Sequence, residues 1–260
     1  MPQKMKILLA IDVGNTNTVV GLLRNGTLDR SWRLTTVRER TGDEHGILIK
    51  NVLALGGYEQ ERFDGIAVSC VVPPLLPGLK EMCQTYFNHE PFIVQPGIKT
   101  GMPILYEHPQ EIGADRIVLS VAGFHLYGGP CIVVDFGTAT TFDVVSAKGE
   151  YLGGIIAPGI GISAEALFQR AAKLPRVEIR EPAEVIGKNT VTAMQSGIFY
   201  GYLGLIEKIL TLVEQELGAP TTNISTGGLG PLISKRTEKI HHSNPDLIMT
   251  GLQILFDMNR

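Results

Sequence analysis

The chain is short of cysteine, of charge of one sign and of long apolar runs. Its three cysteines, Cys70, Cys83 and Cys131, are odd in number and form no C-x-x-C pair. That argues against a disulfide framework and for buried free thiols in a reducing compartment. Twenty-three basic residues stand against 26 acidic ones and are scattered along the chain, for a net charge of −3. Nucleic acid and anionic membranes are therefore not expected as partners, since neither finds an electrostatic footprint. The opening "MPQKMKILLAIDVG" has only five apolar residues in a row before Asp12, too few for a leader core or a membrane span. No later continuous run reaches the length of a span, so a soluble, cytoplasmic protein is expected. What is there suits a globular fold. The 260 residues, 44% hydrophobic and 19% charged, suffice for one large domain or two ordinary ones.

Two short stretches repeat. "IDVGNTNT" (11–18) and "VDFGTATT" (134–141) align at one offset, 123 residues. Asp12 matches Asp135, Gly14 matches Gly137, Thr18 matches Thr141 and Gly26 matches Gly149. Each copy has an apolar run, the polar phrase, a second β-rich run, a tight turn and a third run. Asn25-Gly26 is a hairpin signal, because a type I′ turn needs positive φ at both central residues. Duplication is the expected origin, with lobes 1–123 and 124–260.

After each strand triplet the pattern becomes helical. "TGDEHGILIKNVLAL" opens with a capping box, Thr41 with Glu44. Helices are predicted near 75–87, over "GADRIVLSVAGFHLYG", over "SAEALFQRAAKL", at 190–217 and at 245–258, with strands at "GIAVSCVV", "PFIVQ" and "NIST". Along 190–217, Val191, Met194, Ile198, Leu205, Ile209 and Leu212 recur at three- and four-residue steps. That stripe serves a core helix or a dimer seam equally well. The fold class is α/β: two similar lobes, each a mixed sheet flanked by helices.

A strand ending in Asp-x-Gly followed by Asn and Thr presents backbone N–H groups and small donors, which suits phosphate oxygens. The carboxylate cannot bind phosphate, but it can hold a cation, or a water on a cation, that does. Two such loops facing each other across a cleft would grip a polyphosphate. "STGGLG" (225–230) adds a glycine turn where a flat base could lie on bare backbone. "IGKNT" fails as a Walker loop, with Pro182 where its first glycine belongs and Asn189 after Lys188. "GIGISA" fits a dinucleotide fingerprint in spacing only, since it follows the third strand of a meander.

These features resemble the acetate kinase, sugar kinase, Hsp70 and actin superfamily, whose lobes are duplicated and ribonuclease H-like. "DVGNTNT", "EIGADR", "DFGTATTFD", "GGIIAPG" and "GKNTVTAMQSG" together resemble the type III pantothenate kinase family, in order from Ile7 to the Gly227-Gly228 turn. The resemblance implies ATP-dependent phosphorylation of pantothenate, the first step of coenzyme A synthesis. It implies Asp115 as catalytic base. ATP is implied at Asp12, Val13, Gly14, Asn15, Thr16, Asn17, Thr18, Val19 and Thr138. Pantothenate is implied at Tyr106, Gly113, Ala114, Asp115, Arg116 and Thr190, with the site shared across a homodimer. A monovalent cation, potassium or ammonium, is implied at Asp135, and Asp12 is assigned to Mg²⁺.

Residue chemistry leaves some alternatives open. Arg116 is a carboxylate clamp or a salt-bridge partner, and Thr190 a substrate contact, the cap of the long helix, or both. The family commonly carries asparagine where this chain has His108, read as a loop residue. A regulatory ATP binder, or a kinase of another small alcohol, would use the same scaffold; Asp115 with Arg116 argues against the binder.

Overall fold

In the computed structural model, residues 6–260 are described; the first five, part of the stretch read for a leader, lie outside them. Chain contacts divide the protein into two units, one of Met1–Pro103, Glu107–Ala122 and Asp246–Arg260, the other of Ile104–Tyr106 and Gly123–Pro245.

The first unit is built on β1 (Ile7–Val13), apolar on both faces and therefore central. Antiparallel β2 (Asn17–Arg24) and parallel β4 (Gly65–Cys70) flank it, with β3 (Thr27–Thr35) and the two-residue β5 (Phe92–Ile93) at the edges, in the order β3-β2-β1-β4-β5. One sheet face, carrying Leu9, Ile11, Val20, Leu22, Ile66 and Val68, packs on α1 (Gly42–Leu55) and α2 (Leu76–Phe87) through Ile49, Leu53, Leu79 and Met82. The capping box starts α1 as expected. The Thr41 N–H donates to Glu44 Oε2 at 2.8 Å and the Glu44 N–H to Thr41 Oγ1 at 3.3 Å.

The opposite face receives α7 (Leu247–Met258), because glycines remove the side chains that would block it. A Cβ on Gly65 would run into Phe256, and one on Gly21 into Met249. Division by sequence put residues 246–260 with the second half. Their contacts group them with the first unit.

The second unit repeats the plan. β6 (Cys131–Phe136) is central, with β7 (Ala139–Val145) and β8 (Tyr151–Pro158) on one side and β9 (Thr222–Thr226) and β10 (His242–Ser243) on the other. The order β10-β9-β6-β7-β8 is that of the first sheet read from its far edge. The repeat extends to backbone conformation. Gly26 has φ +82° and Gly149 φ +80° in equivalent turns, and Asn25 has φ +50°, as a type I′ hairpin requires.

Between the sheets in sequence, α3 (Ala114–Tyr127) holds the unit boundary, after Ala122. Beyond β8 come α4 (Ile160–Arg170), α5 (Thr190–Leu217) and, after β9, the short α6 (Gly230–Ser234). By length and composition α5 could cross a membrane, its most apolar window having a mean hydropathy of 1.3. In this fold Met194, Ile198, Phe199, Tyr202, Ile206 and Leu210 bury one face of α5 in the second core, with Ile132, Val134, Phe136 and Phe142. Of the stripe expected from spacing, Met194 and Ile198 lie in that core and Leu205 and Ile209 pack against it, while Val191 and Leu212 at its two ends are exposed.

Candidate active site

The first polar loop is held by its own backbone. The Gly14 N–H donates to the Asn17 carbonyl at 3.0 Å, and a Cβ on Gly14 would lie 3.1 Å from that oxygen. The turn is therefore tightest with glycine. Asn15 and Thr16 are exposed at its tip, where Asn15 Oδ1 accepts from Arg38 at 3.4 Å. Behind the tip, the Thr36 N–H donates to the Thr16 carbonyl at 3.0 Å, and the Thr18 and Thr36 hydroxyls are 2.9 Å apart. Val13 and Thr18 are buried, and Asn17 and Val19 half-buried, as the loop passes into β2.

Asp12 is half-buried beside this loop and stands opposite Ser69 in the parallel β1–β4 ladder. Ser69 is fully buried, and its Oγ has no hydrogen-bond partner among the described residues. The duplicate position is Thr226, opposite Asp135 in the β6–β9 ladder. Sequence reasoning missed both hydroxyls. The signal lay in the repeat: each unit's parallel strand carries Ser or Thr opposite the Asp of the Asp-x-Gly strand.

Asp115 lies in the first turn of α3, half-buried after Gly113. A Cβ on Gly113 would sit 2.5 Å from Asp115 Oδ1 and 3.5 Å from Val71 Cγ1, while the Val71 N–H donates to the Val13 carbonyl at 3.0 Å. One valine thus joins the end of β1 to the start of α3 within the first unit. Desolvation pushes the Asp115 carboxyl above the ordinary carboxylate range, against the pull of the Arg116 N–H, which donates to it at 2.8 Å, and of the Arg116 charge. A carboxylate so raised holds a proton more readily, which suits a general base. Arg116 is itself buried, 8% exposed, which removes the surface-salt-bridge reading. Ala114 is half-buried at the start of the same helix. His108 is exposed ahead of the 3-10 turn Pro109–Glu111, as read for a loop residue.

In the second unit, Gly137 and the turn after β9 lie against Asp135. A Cβ on Gly227 (φ +84°) would lie 2.5 Å from Asp135 Oδ1, and one on Gly137 would lie 3.3 Å from Oδ2. The second polar loop and the glycine turn therefore meet at one carboxylate. Thr138 is exposed, its carbonyl fixed by the Gly159 N–H at 3.1 Å. Tyr106 is half-buried, with its ring 6.1 Å from that of Tyr151. Thr190 is exposed but does not cap α5. Asn189 does, its Oδ1 accepting from the Thr192 N–H at 3.0 Å, which leaves Thr190 as the first helical residue. Both residue types cap helices, so spacing could not choose between them.

Among the described residues, no group of three or more His, Cys, Asp or Glu could cage a metal. Mg²⁺ does not require one, since it retains waters and binds through one or two carboxylates and substrate phosphates. Asp12 with the buried, unpartnered Ser69 hydroxyl fits a water-mediated Mg²⁺ site.

Two copies of one sheet, each with an Asp-x-Gly loop at its central strand, place the protein in the ribonuclease H-like, actin-like ATPase fold class. In keeping with that, an activator of 2-hydroxyisocaproyl-CoA dehydratase from Clostridium difficile, solved with ADPNP, superposes with a TM-score of 0.56 at 10% identity, over 97% of this chain and 95% of its own. The model of the type III pantothenate kinase family matches residues 8–212. Type III pantothenate kinases from Koribacter versatilis and Syntrophotalea carbinolica are each 52% identical to this chain over 98% of its length, and over 96% and 100% of theirs. The chain belongs to the type III pantothenate kinase family.

Proposed function

We propose that this protein transfers the γ-phosphoryl group of ATP to the primary hydroxyl of pantothenate, giving 4′-phosphopantothenate and ADP, the first step of coenzyme A synthesis. The observation that carries the reading is Asp115: a carboxylate raised by burial, beside a bare glycine, at a helix start joined to the first phosphate loop. Asp115 takes the proton of the attacking hydroxyl as the new O–P bond forms and the bond to the β-phosphate oxygen breaks.

Asp12 to Val19 and Thr138 bind ATP. The exposed tip at Asn15 and Thr16 offers backbone N–H groups to phosphate, and Thr16 offers its hydroxyl. Asp12 would hold Mg²⁺ through water, and Asp135 would hold a monovalent cation, potassium or ammonium; bound there, these ions would supply charge neutralisation to the phosphates. Gly113 and Ala114 let pantothenate approach the backbone, Arg116 clamps its carboxylate as a planar fork, and Tyr106 and Thr190 complete its contacts. Positioning and electrostatics supply most of the rate gain.

The active form is a homodimer in the cytoplasm, with Thr190 acting on the neighbour's substrate. The apolar side chains left exposed in the second unit support a partner surface: Val185, Ile186 and Ile156 are 63%, 80% and 65% exposed, and Val191 and Leu212 on α5 are exposed as well.

The test is ADP release coupled to pantothenate, in potassium against sodium, alongside sedimentation of the protein. Pantothenate-dependent ADP release from a potassium-activated dimer is expected. ATP turnover indifferent to pantothenate would overturn the assignment, and a fully active monomer would remove the shared site.

A further inference from the structure

The second unit contains a buried carboxylate that the reaction does not use. Asp143 on β7 is fully buried. Its Oδ1 accepts from the hydroxyl of Tyr151 at 2.9 Å and its Oδ2 from the hydroxyl of Thr141 at 3.2 Å. Tyr151, also fully buried, is where the segment 104–106 is fastened. Ile104 forms an isolated parallel bridge with it, and the Leu105 N–H donates to its carbonyl at 2.8 Å. Next along that segment, the Tyr106 ring leans on the Tyr151 ring at 57° between planes. It also covers Gly153, where φ is +129° and an added Cβ would come within 3.6 Å of the Tyr106 ring.

A carboxylate in such a place is costly for stability alone. Taking it out of water is unfavourable, and an apolar pair of the same shape is often as stable or more so. What the pair adds is direction. The hydrogen bond at the far end of Tyr151 fixes the tilt of that ring, and the ring is one wall against which Tyr106 rests. Thr141 lies on the strand that leaves the second polar loop, so the same carboxylate ties that strand into the device.

We propose that the Asp143–Tyr151 hydrogen bond is a positioning device for Tyr106, setting the affinity for pantothenate without touching it. This rests on the reading that Tyr106 contacts pantothenate. Neither Asp143 nor Tyr151 meets a reacting atom. Their effect falls on substrate KM through Tyr106, and the ATP side of the reaction is not involved.

The experiment uses the full-length chain and the variants Tyr151→Phe, Asp143→Asn and Tyr106→Ala, with 3-fluorotyrosine labelling as a readout independent of turnover. Tyr151→Phe is expected to raise KM for pantothenate about tenfold, the worth of one hydrogen bond, and to leave KM for ATP unchanged. In a Tyr106→Ala background the same substitution should add nothing, because the residue it acts through is gone. The ¹⁹F resonance of Tyr106, identified by its loss in Tyr106→Phe, should shift or broaden in Tyr151→Phe whether or not substrate is present. Effects that multiply in the double variant, a parallel rise in KM for ATP, or an unmoved Tyr106 resonance would each overturn the proposal. Should Tyr151→Phe fail to fold, Asp143→Asn is read by the same three measurements, with a smaller expected rise because an acceptor oxygen remains. A wild type that ignores pantothenate would sink the functional reading alone, and the ¹⁹F signal would still decide the positioning role.

Discussion

A Cβ on Gly227 would lie 2.5 Å from Oδ1 of Asp135, so the turn after β9 and the carboxylate ending β6 share their space only because residue 227 is glycine. Gly227→Ala carries three penalties: backbone strain at φ +84°, displacement of the Asp135 carboxylate, and a clash with the Phe136 carbonyl oxygen, 2.7 Å from the added Cβ. Gly26→Ala is the control, with φ +82° and nothing within 4 Å of the added Cβ. Both variants should lose about 1–2 kcal/mol from left-handed strain. Only Gly227→Ala should also raise the potassium concentration for half-maximal activation, by several-fold. Thermal melts and a potassium titration of both variants check this. An unaltered potassium requirement in Gly227→Ala would separate Asp135 from the cation.

Asp115→Asn should lower kcat by roughly 10²–10⁴, the usual contribution of a positioned base. Stability should move the other way. Because burial raises the folded carboxyl above its ordinary 3.8, the folded chain binds this proton more tightly than the unfolded one. The stability it contributes is complete below that ordinary value and is lost as pH rises through the folded value. At neutral pH the charged form is therefore a burden that asparagine relieves. The variant should melt above wild type at pH 7, and the gap should close towards pH 4. The acid limb of kcat/KM in the wild type should fall above the ordinary carboxylate range. A variant less stable than wild type at neutral pH would contradict the burial argument.

His45 gives a second pH signature, in the first unit. It is 2% exposed, and its Nε2 has no hydrogen-bond partner among the described residues. Desolvation lowers its pKa below 6.5, helped by the charge of Arg40 and opposed by Glu44. The unfolded chain thus takes up the proton first as pH falls. Stability should decline below about pH 6.5 and keep declining until the folded value is passed. His45→Leu should flatten the part of the slope between pH 7 and 5 in urea midpoints. Parallel slopes for the two proteins would count against it.

Local chemistry was legible in the sequence, and register was not. Thr41 with Glu44 and Asn25-Gly26 announce their structures because the residues that make each bond sit two to four apart. The repeat exposed the two sheets because Asp-x-Gly loops and glycine turns recur at one offset. The place of α7 depends on Gly21 and Gly65, which the sequence presents as ordinary strand glycines. The same holds for β5, read as five residues and formed by two, which pair only with Ala67 and Val68 although β4 runs on to Cys70. Asp143 was in plain view inside "DFGTATTFD", but only the register of β7 on β8 puts it against Tyr151. The α5 stripe shows a subtler limit. Three- and four-residue steps fit several faces of a long apolar helix, and the sheet beneath chose the one through Ile198, Tyr202, Ile206 and Leu210.

Ser69 allows a test of the first cation site that does not depend on turnover. Its hydroxyl is desolvated without a partner, which is unfavourable by about 1–3 kcal/mol unless a ligand water satisfies it. Ser69→Ala should therefore leave the ligand-free protein as stable as wild type or slightly more so. If the hydroxyl holds a water of the Mg²⁺ shell beside Asp12, the same change should weaken Mn²⁺ binding in the presence of ADP, followed by electron paramagnetic resonance, by about three- to tenfold. The stabilisation that Mg²⁺ and ADP together give in a thermal melt should shrink in step. Loss of stability without ligand, together with unchanged Mn²⁺ affinity, would make Ser69 a packing residue. The opposite pair of results would make it part of the site, because a group that costs stability in the empty fold and recovers it with the metal is held there for the metal.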